Sequence, residues 1–182
     1  TTTMTKVISA IVGGSILILA IIGLSMYFST SNREISLRSD AEAQVRSITL
    51  NYDNMWKIIK QKAQVSDEYK NAFDTIYTKI ISSRYDKDNG LLLKFVTESN
   101  PNFDVSLYRD LSNAIEGQRN TFLMTQEKLV DIINQHNKLR RQFPASMFVG
   151  SRPEIAYKPI TSTITDQVVA SGHDDDVKVF DR

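Results

Sequence analysis

The pattern of hydrophobic and polar positions divides the 182 residues of this chain into three parts. The first is an apolar run of 22 residues, 7–28, that contains no charged residue and no Asn, Gln or His. A helix of this length extends about 33 Å, enough to cross the hydrocarbon core of a bilayer. The run therefore predicts a transmembrane helix at residues 7–28, after a short segment at 1–6. The alternative is a cleaved signal peptide, whose apolar region is shorter, at about 7–15 residues.

The second part, residues 29–143, has the spacing of long amphipathic helices. Apolar positions recur in alternating steps of four and three residues, which is the heptad pattern of packed helices. Helix breakers are scarce, because no proline precedes Pro101 and the only glycines here are Gly90 and Gly117. The first apolar seam consists of Ala41, Val45, Ile48, Tyr52, Met55, Ile59, Tyr69, Phe73, Ile76 and Ile80.

A polar layer formed by Lys62 and Ser66 interrupts this first seam. The layer is compatible with a kink, a register device or a break in the helix. Ser66 is followed by two acidic residues. Because Ser is a favoured N-cap and acidic side chains stabilise the first turn, this stretch resembles a helix restart at Ser66.

A second seam predicts a last long helix that ends before Pro144. Turn-forming residues at 86–90 and 100–102 separate it from the first seam, with a short apolar helix between them and Asp104 as its expected cap. The second seam consists of Tyr108, Leu111, Ile115, Gln118, Phe122, Thr125, Leu129, Ile132, His136, Leu139 and Phe143.

Amphipathic helices of this length must bury their seams. The simplest solution is an all-α fold in which the transmembrane helix is followed by an elongated antiparallel helical bundle at residues 29–143. Homo-oligomerisation through the same seams is the alternative. The third part, residues 144–182, holds three of the four prolines and an excess of acidic residues. We expect it to be an extended, partly disordered tail in which residues 145–149 and 155–157 dock as apolar clips.

The composition excludes several kinds of binding and catalytic site. The net charge is +1, which argues against a broad basic surface for nucleic acid. The absence of cysteine excludes disulfides, thiolate metal sites and a cysteine nucleophile, and two histidines cannot build a histidine-rich metal centre. His136 lies on the second seam, where a polar residue more often sets the packing register than binds a ligand. The cluster of His173 with residues 174–176 is expected to be a solvated acidic run.

No motif for catalysis is present. A di-iron bundle needs Glu-x-x-His pairs, but the residue three before His136 is Ile133. Neither a phosphate-binding glycine loop nor a Gly-x-Ser-x-Gly elbow occurs. We therefore predict no catalytic, cofactor-binding or metal-binding residues. A hydrolase that uses carboxylates of the bundle is the less favoured alternative.

A basic cluster lies at the end of the last helix. Lys138, Arg140 and Arg141 complement the helix dipole at that position. Alternatively, they contact anionic lipid headgroups, which requires that the last helix returns toward the membrane. That return is expected if two long helices dominate the bundle and is not expected in an arrangement of three comparable helices.

The charges that flank the apolar run indicate its orientation. Lys6 precedes the run, and Arg33, Arg38 and Arg46 follow it. By the positive-inside rule, this asymmetry favours a cytoplasmic C-terminal domain.

Residues 116–150 resemble the signature of the LemA family, in which a Glu-Gly pair precedes a helix that ends in basic residues and Phe-Pro. Residues 100–111 and the ending at 176–180 are also similar to that family, as is the plan of one N-terminal span before a helical domain. His136 stands where the family usually has tyrosine. The matching positions are Glu116, Gly117, Asn120, Asn134, Asn137, Arg140, Arg141, Phe143 and Pro144.

The resemblance implies a single-pass protein of a bacterial inner membrane, encoded by a bacterium or a bacteriophage. It implies no activity, because the family has no agreed biochemical function. We therefore expect a non-catalytic membrane-anchored scaffold or interaction module with unidentified protein partners, no cofactor and no nucleic acid. A membrane-remodelling or lipid-contacting structural protein is the alternative.

Overall fold

The computed structural model describes residues 2–82 and 89–160, and these residues are helical or irregular with no strand among them. The all-α fold class is thus confirmed for the described part of the chain. The elements are α1 (Thr2–Ala63), a 3₁₀ turn (Asp67–Tyr69), α2 (Lys70–Ser82), α3 (Asn89–Ser99), a second 3₁₀ turn (Val105–Leu107), α4 (Tyr108–Arg141) and α5 (Ser146–Val149).

Helix α1 has 62 residues and includes the whole apolar run. In the described part of the chain it is the one helix long and apolar enough to cross a membrane. None of its most apolar window is buried against other parts of the chain. The helix continues without interruption into the amphipathic region, which agrees with the scarcity of helix breakers there.

The chain divides into two compact units. Of the described residues, the N-terminal unit contains 2–45 and 128–156, and the central unit contains 46–127, without the gap at 83–88, and 157–160. The two units are described separately below.

The central unit has an aromatic core. Phe73 of α2 is fully buried, and its ring centroid lies 5.3 Å from that of Trp56 and 5.7 Å from that of Tyr77. Tyr52 packs edge-on against Tyr77 at 4.8 Å. Such pairs add about 0.5–1.5 kcal/mol each beyond the area that they bury. The predicted seams supply much of this core, including Met55, Ile59, Phe73, Ile80, Leu111, Ile115 and Phe122.

The polar layer that interrupts the first seam coincides with a break in the helix. Helix α1 ends at Ala63, and Gln64 has a φ of 51°, in the left-handed region that ends many helices. The Asn100 side chain donates to the Ala63 carbonyl at 2.9 Å, which satisfies one of the free carbonyls of the helix end. Ser66 is the N-cap position of the first 3₁₀ turn, but its hydroxyl donates to the Glu68 carboxylate instead of accepting from a backbone N–H.

Two further polar residues of the central unit, Asp104 and Asn51, form specific hydrogen bonds. Asp104 caps the second 3₁₀ turn as expected, because its side chain accepts from the Ser106 backbone N–H at 2.9 Å. Asn51 is buried, and its side-chain amide donates to the Gln118 backbone carbonyl at 2.9 Å. A buried amide thus joins α1 to α4 within this unit.

In the N-terminal unit, α1 packs against the last part of α4 and against α5. Leu37, Ala41, Leu129, Ile132, Ala145 and Val149 are its buried apolar residues. Within the tail that was expected to be extended, residues 146–149 form α5 instead, while 153–160 has no regular structure. The peptide bond between Phe143 and Pro144 is cis. A Cβ at Gly150 would lie 2.4 Å from the Ser146 carbonyl oxygen and 3.3 Å from that of Arg140, so this close approach requires glycine.

Candidate functional site

The N-terminal unit contains a buried carboxylate surrounded by cationic and polar groups. Glu34 follows the apolar run by less than two turns of α1 and is 2% exposed. Arg38, one turn later, donates to its Oε1 at 2.7 Å, and Arg152 donates to its Oε2 at 2.6 Å. His136 of α4 donates through Nε2 to Oε1 at 2.9 Å. We call Glu34, Arg38, His136 and Arg152, with Ser31, the Glu34 cluster.

The cluster keeps its carboxylate ionised. Burial raises the pKa of Glu34, but the hydrogen bonds from His136, Arg152 and Arg38 outweigh this effect and lower the pKa from 4.5 to about 2. A carboxylate with such a pKa is a weak base at neutral pH. Its chemistry suits the binding of cations within the protein better than proton transfer to a substrate.

His136 is fully buried at its seam position. Because an ionised carboxylate only accepts hydrogen bonds, Nε2 carries the proton of the bond to Glu34. Its Nδ1 is buried and has no hydrogen-bond partner among the described residues. The geometry agrees with the interpretation of His136 as a packing residue, since it lies between α1 and α4 within this unit.

The segment at 150–154 is held to the unit by charged groups, and we call it the strap. Arg152 donates to the Ser31 hydroxyl at 2.6 Å as well as to Glu34. Arg38 donates to the Pro153 carbonyl at 2.8 Å. From α4, Arg140 pairs with Glu154 at 2.9 Å. The strap is therefore bound to both helices, although it belongs to the part of the chain that is predicted to be an extended tail.

The three residues of the predicted basic cluster have different surroundings. Arg140 is 14% exposed in its side chain and is engaged by the strap. Arg141 is 77% exposed in its side chain and lies 3.6 Å from Glu154. Lys138 is exposed and lines a groove together with Arg33 of α1. Arg140 and Arg141 thus meet at Glu154, whereas Lys138 lies in the groove with Arg33.

The groove has a volume of about 250 Å³ and is lined by Arg33, Gln135, Lys138, Leu139 and Gln142. Two cationic side chains and two amides thus face one space, with Leu139 as an apolar wall. Within the described ranges, neither Arg33 nor Lys138 forms an ion pair with a carboxylate.

Exposed apolar side chains follow the groove residue Gln142 in the chain, at the turn between α4 and α5. Phe143 is 77% exposed and Met147 is 72% exposed. The ring of Phe148 lies 5.9 Å from that of Tyr27, edge to face. Because Tyr27 belongs to the last turn of the apolar run, α5 lies beside the end of that run.

The signature positions fall in both units. Glu116 and Gly117 belong to the central unit, where Glu116 pairs with Arg119 at 2.7 Å and a Cβ at Gly117 would meet open space. In the N-terminal unit Asn134 is exposed, and the Oδ1 atom of Asn137 is buried without a partner among the described residues. Phe143 and Pro144 form the cis bond described above.

The described residues contain no group of three or more His, Asp or Glu residues arranged to hold a metal ion. His173 and residues 174–176 lie outside the described residues.

The sequence contained a signal for the Glu34 cluster. Continuing the first seam toward the N-terminus from Ala41 in steps of three and four reaches Arg38, Glu34 and Ser31. Three polar residues in succession at seam positions, with a histidine on the second seam, indicate a buried polar layer. The first seam as predicted begins at Ala41 and does not include these residues.

Compared with known proteins, the chain matches no protein-family model, no curated protein and no solved structure.

Proposed function

We propose that this protein is a membrane-anchored helical scaffold or interaction module of the LemA type. In this proposal, residues 7–28 cross a bacterial inner membrane and the helices that follow form an antiparallel bundle in the cytoplasm. The observation that carries it is the continuity of α1, which passes from an unburied apolar run directly into a packed helix.

Exposure of the apolar run to water is energetically unfavourable. Its large aliphatic side chains are about half to two-thirds exposed, for example Ile11 at 63%, Leu19 at 67% and Ile21 at 58%. Monomeric soluble proteins rarely expose a continuous apolar surface of this extent. A bilayer covers such a surface, and a helix satisfies its own backbone hydrogen bonds there.

Contacts within the N-terminal unit support an antiparallel pairing of α1 with the last part of α4 and α5. Tyr27 contacts Phe148, and Glu34 contacts His136. As residue numbers rise along α1, those of the contacted residues fall. Two long helices therefore dominate the proposed bundle, and the last helix ends near the apolar run.

The scaffold proposal is preferred to a hydrolase because of the state of the charged groups. Glu34, the buried carboxylate, has its pKa lowered to about 2 and both oxygens occupied by cationic or histidine donors. A catalytic carboxylate at neutral pH usually has a raised pKa and an open face toward a cavity. The resemblance to the LemA family at residues 116–150 supports the same class of protein.

Flotation of the protein with lipid tests the anchor. We expect the full chain to float with liposomes in a density gradient after alkaline carbonate extraction. The double variant Ile18→Arg/Ile21→Arg should lose flotation, because arginine near the centre of a span opposes insertion by about 2.5–3.5 kcal/mol per residue.

A matched control comes from the same helix. Ile35 and Leu50 are 56% and 61% exposed, similar to Ile18 at 60% and Ile21 at 58%. The variant Ile35→Arg/Leu50→Arg should float like the wild type. Equal loss of flotation in both variants, or no flotation of the wild type, would contradict the anchor.

Partner recruitment is tested separately. The full chain and a chain ending at residue 160 are purified from detergent-solubilised membranes beside an unrelated single-span protein. The scaffold proposal predicts proteins that co-purify in a fixed ratio with at least one of the two chains and not with the control. If neither chain enriches any protein above the control, the scaffold proposal fails while the anchor stands.

A further inference from the structure

We propose that Arg33 and Lys138 bind the phosphate group of an anionic phospholipid, with Phe143 and Met147 inserted into the same leaflet. The proposal rests on the membrane anchor proposed above and adds a lipid site to it. Of the residues that the sequence predicts for lipid contact, Lys138, Arg140 and Arg141, the proposal keeps Lys138 and adds Arg33.

The two cations are available for a ligand. They face one groove from different helices, with the amides of Gln135 and Gln142 beside them. Arg140 is occupied by Glu154 and by the Gly150 carbonyl. Among the described residues neither cation has a carboxylate partner, and a groove with two such cations and two amide donors is complementary to a phosphate group, which carries negative charge and accepts several hydrogen bonds.

The position of the groove along α1 matches the depth of lipid phosphates. Arg33 lies five residues beyond Phe28, the last residue of the apolar run, which is about 7.5 Å along the helix axis. The polar headgroup layer on each side of the hydrocarbon core is about 5–7 Å thick. An arginine at that height, with a long flexible side chain, reaches the phosphates from above.

The turn between α4 and α5 lies at a height along α1 that corresponds to the membrane interface. The contact of Phe148 with Tyr27 places α5 at the level of the last apolar turn of α1. Phe143 and Met147 both precede Phe148 in sequence and are the most exposed apolar side chains of the turn. Insertion into the membrane interface removes them from water, and aromatic side chains favour that interface.

The N-terminal unit thus combines a cationic groove with exposed apolar side chains in the turn that follows α4, which is the composition of a surface that binds anionic membranes. The charge selects the headgroup, and the apolar side chains fix the depth of the turn. The occupant of the groove is therefore a lipid of the surrounding leaflet.

Lipid selectivity tests the headgroup site. Native mass spectrometry of the full chain in detergent, with equal amounts of phosphatidylglycerol and phosphatidylcholine, measures the ratio in which the two lipids are retained. We expect the wild type to prefer phosphatidylglycerol at least fivefold and Arg33→Gln/Lys138→Gln to prefer it less than twofold. The control Arg46→Gln/Lys128→Gln, which removes two exposed cations from the same two helices, should retain the wild-type ratio.

Three results would overturn the headgroup site. They are an unchanged preference in Arg33→Gln/Lys138→Gln, an equal loss in the control, and complete displacement of the lipid by an equal concentration of inorganic phosphate. The last result would identify a site for soluble anions. Because flotation of the wild type tests the anchor independently, failure of lipid selectivity leaves the proposed function in place.

A second measurement does not depend on the charge variants. The chain has no cysteine, so Met147→Cys and Met124→Cys each provide a single labelling site for an environment-sensitive fluorophore. The two methionines are 72% and 71% exposed, which makes Met124 of the central unit a matched control. Nitroxide-labelled lipids in proteoliposomes should quench the label at residue 147 at least threefold more than the label at 124. Equal quenching at both positions would overturn the insertion of the turn.

Discussion

At the scale of single residues, the Glu34 cluster is the most constrained part of the protein. One carboxylate accepts hydrogen bonds from Arg38, His136 and Arg152, so its removal leaves several donors without an acceptor. Breaking a buried charge cluster by removing one member is strongly destabilising, because the remaining charges keep their desolvation cost.

The first prediction concerns the charge of Glu34. We expect Glu34→Gln to lower the free energy of unfolding by about 3 kcal/mol, since both arginines lose their buried counter-ion. Chemical denaturation in detergent, followed by circular dichroism, measures this change. Glu42→Gln removes the same charge from an exposed position of α1 and should change stability by less than about 0.5 kcal/mol. Equal effects of the two variants would contradict the role of the cluster.

The second prediction concerns pH. The folded protein holds the pKa of Glu34 at about 2, below its ordinary value of 4.5. The stabilisation from Glu34 is therefore complete above pH 4.5 and is lost as the pH falls toward 2. The exposed residues Asp67 and Asp104 also have lowered pKa values, so the wild type must be compared with Glu34→Gln.

Denaturation midpoints between pH 7 and pH 2 provide this comparison. The difference in stability between the wild type and Glu34→Gln should be constant above pH 5 and shrink below pH 4.5. A difference that stays constant down to pH 2 would show that Glu34 has an ordinary pKa.

The sequence identifies one residue of this cluster, His136, as a packing residue. His136 was assigned to packing because the heptad spacing of α4 is regular on both sides of it. Glu34, Arg38 and Ser31 lie on the continuation of the first seam, but they are polar, so their burial follows only if the seam is extended beyond its apolar positions. Arg152, a partner of Glu34, is 118 residues away from it in the chain, a pairing that no local pattern encodes.

At the scale of elements, the lengths of the helices followed from the distribution of helix breakers, and their ends did not follow from composition alone. The break after Ala63 lies at the predicted polar layer, yet it depends on the left-handed conformation of Gln64 and on the Asn100 side chain. Helix α5 was not predicted, because four residues are too few for a periodic pattern.

The third prediction concerns the turn after α5. Gly150→Ala should lower the free energy of unfolding by about 1–3 kcal/mol, because its Cβ would clash with the Ser146 carbonyl oxygen at 2.4 Å. Gly117→Ala, in the interior of α4, meets open space and should raise stability by about 0.5–1 kcal/mol. Thermal unfolding by circular dichroism measures both variants. Stabilisation by Gly150→Ala would contradict the close approach of the chain at this turn.

At the scale of the whole molecule, the account depends on one apolar run of α1 in a membrane and on packed helices beyond it. The sequence was sufficient to predict a helix long and apolar enough to cross a membrane, because length and lack of charge are local properties. It left open whether α4 ends near that run, since this depends on how distant segments pair. The contacts of His136 with Glu34 and of Phe148 with Tyr27 answer that question within the N-terminal unit.

The measurement that most directly tests the central claim is the accessibility of single cysteines on the two sides of the apolar run. Thr3→Cys and Asn32→Cys lie before and after it, and the natural chain has no cysteine. In spheroplasts, a membrane-impermeant maleimide should label residue 3 and not residue 32. In inverted inner-membrane vesicles, it should label residue 32 and not residue 3. Labelling of both residues from the same side would contradict a membrane-spanning α1.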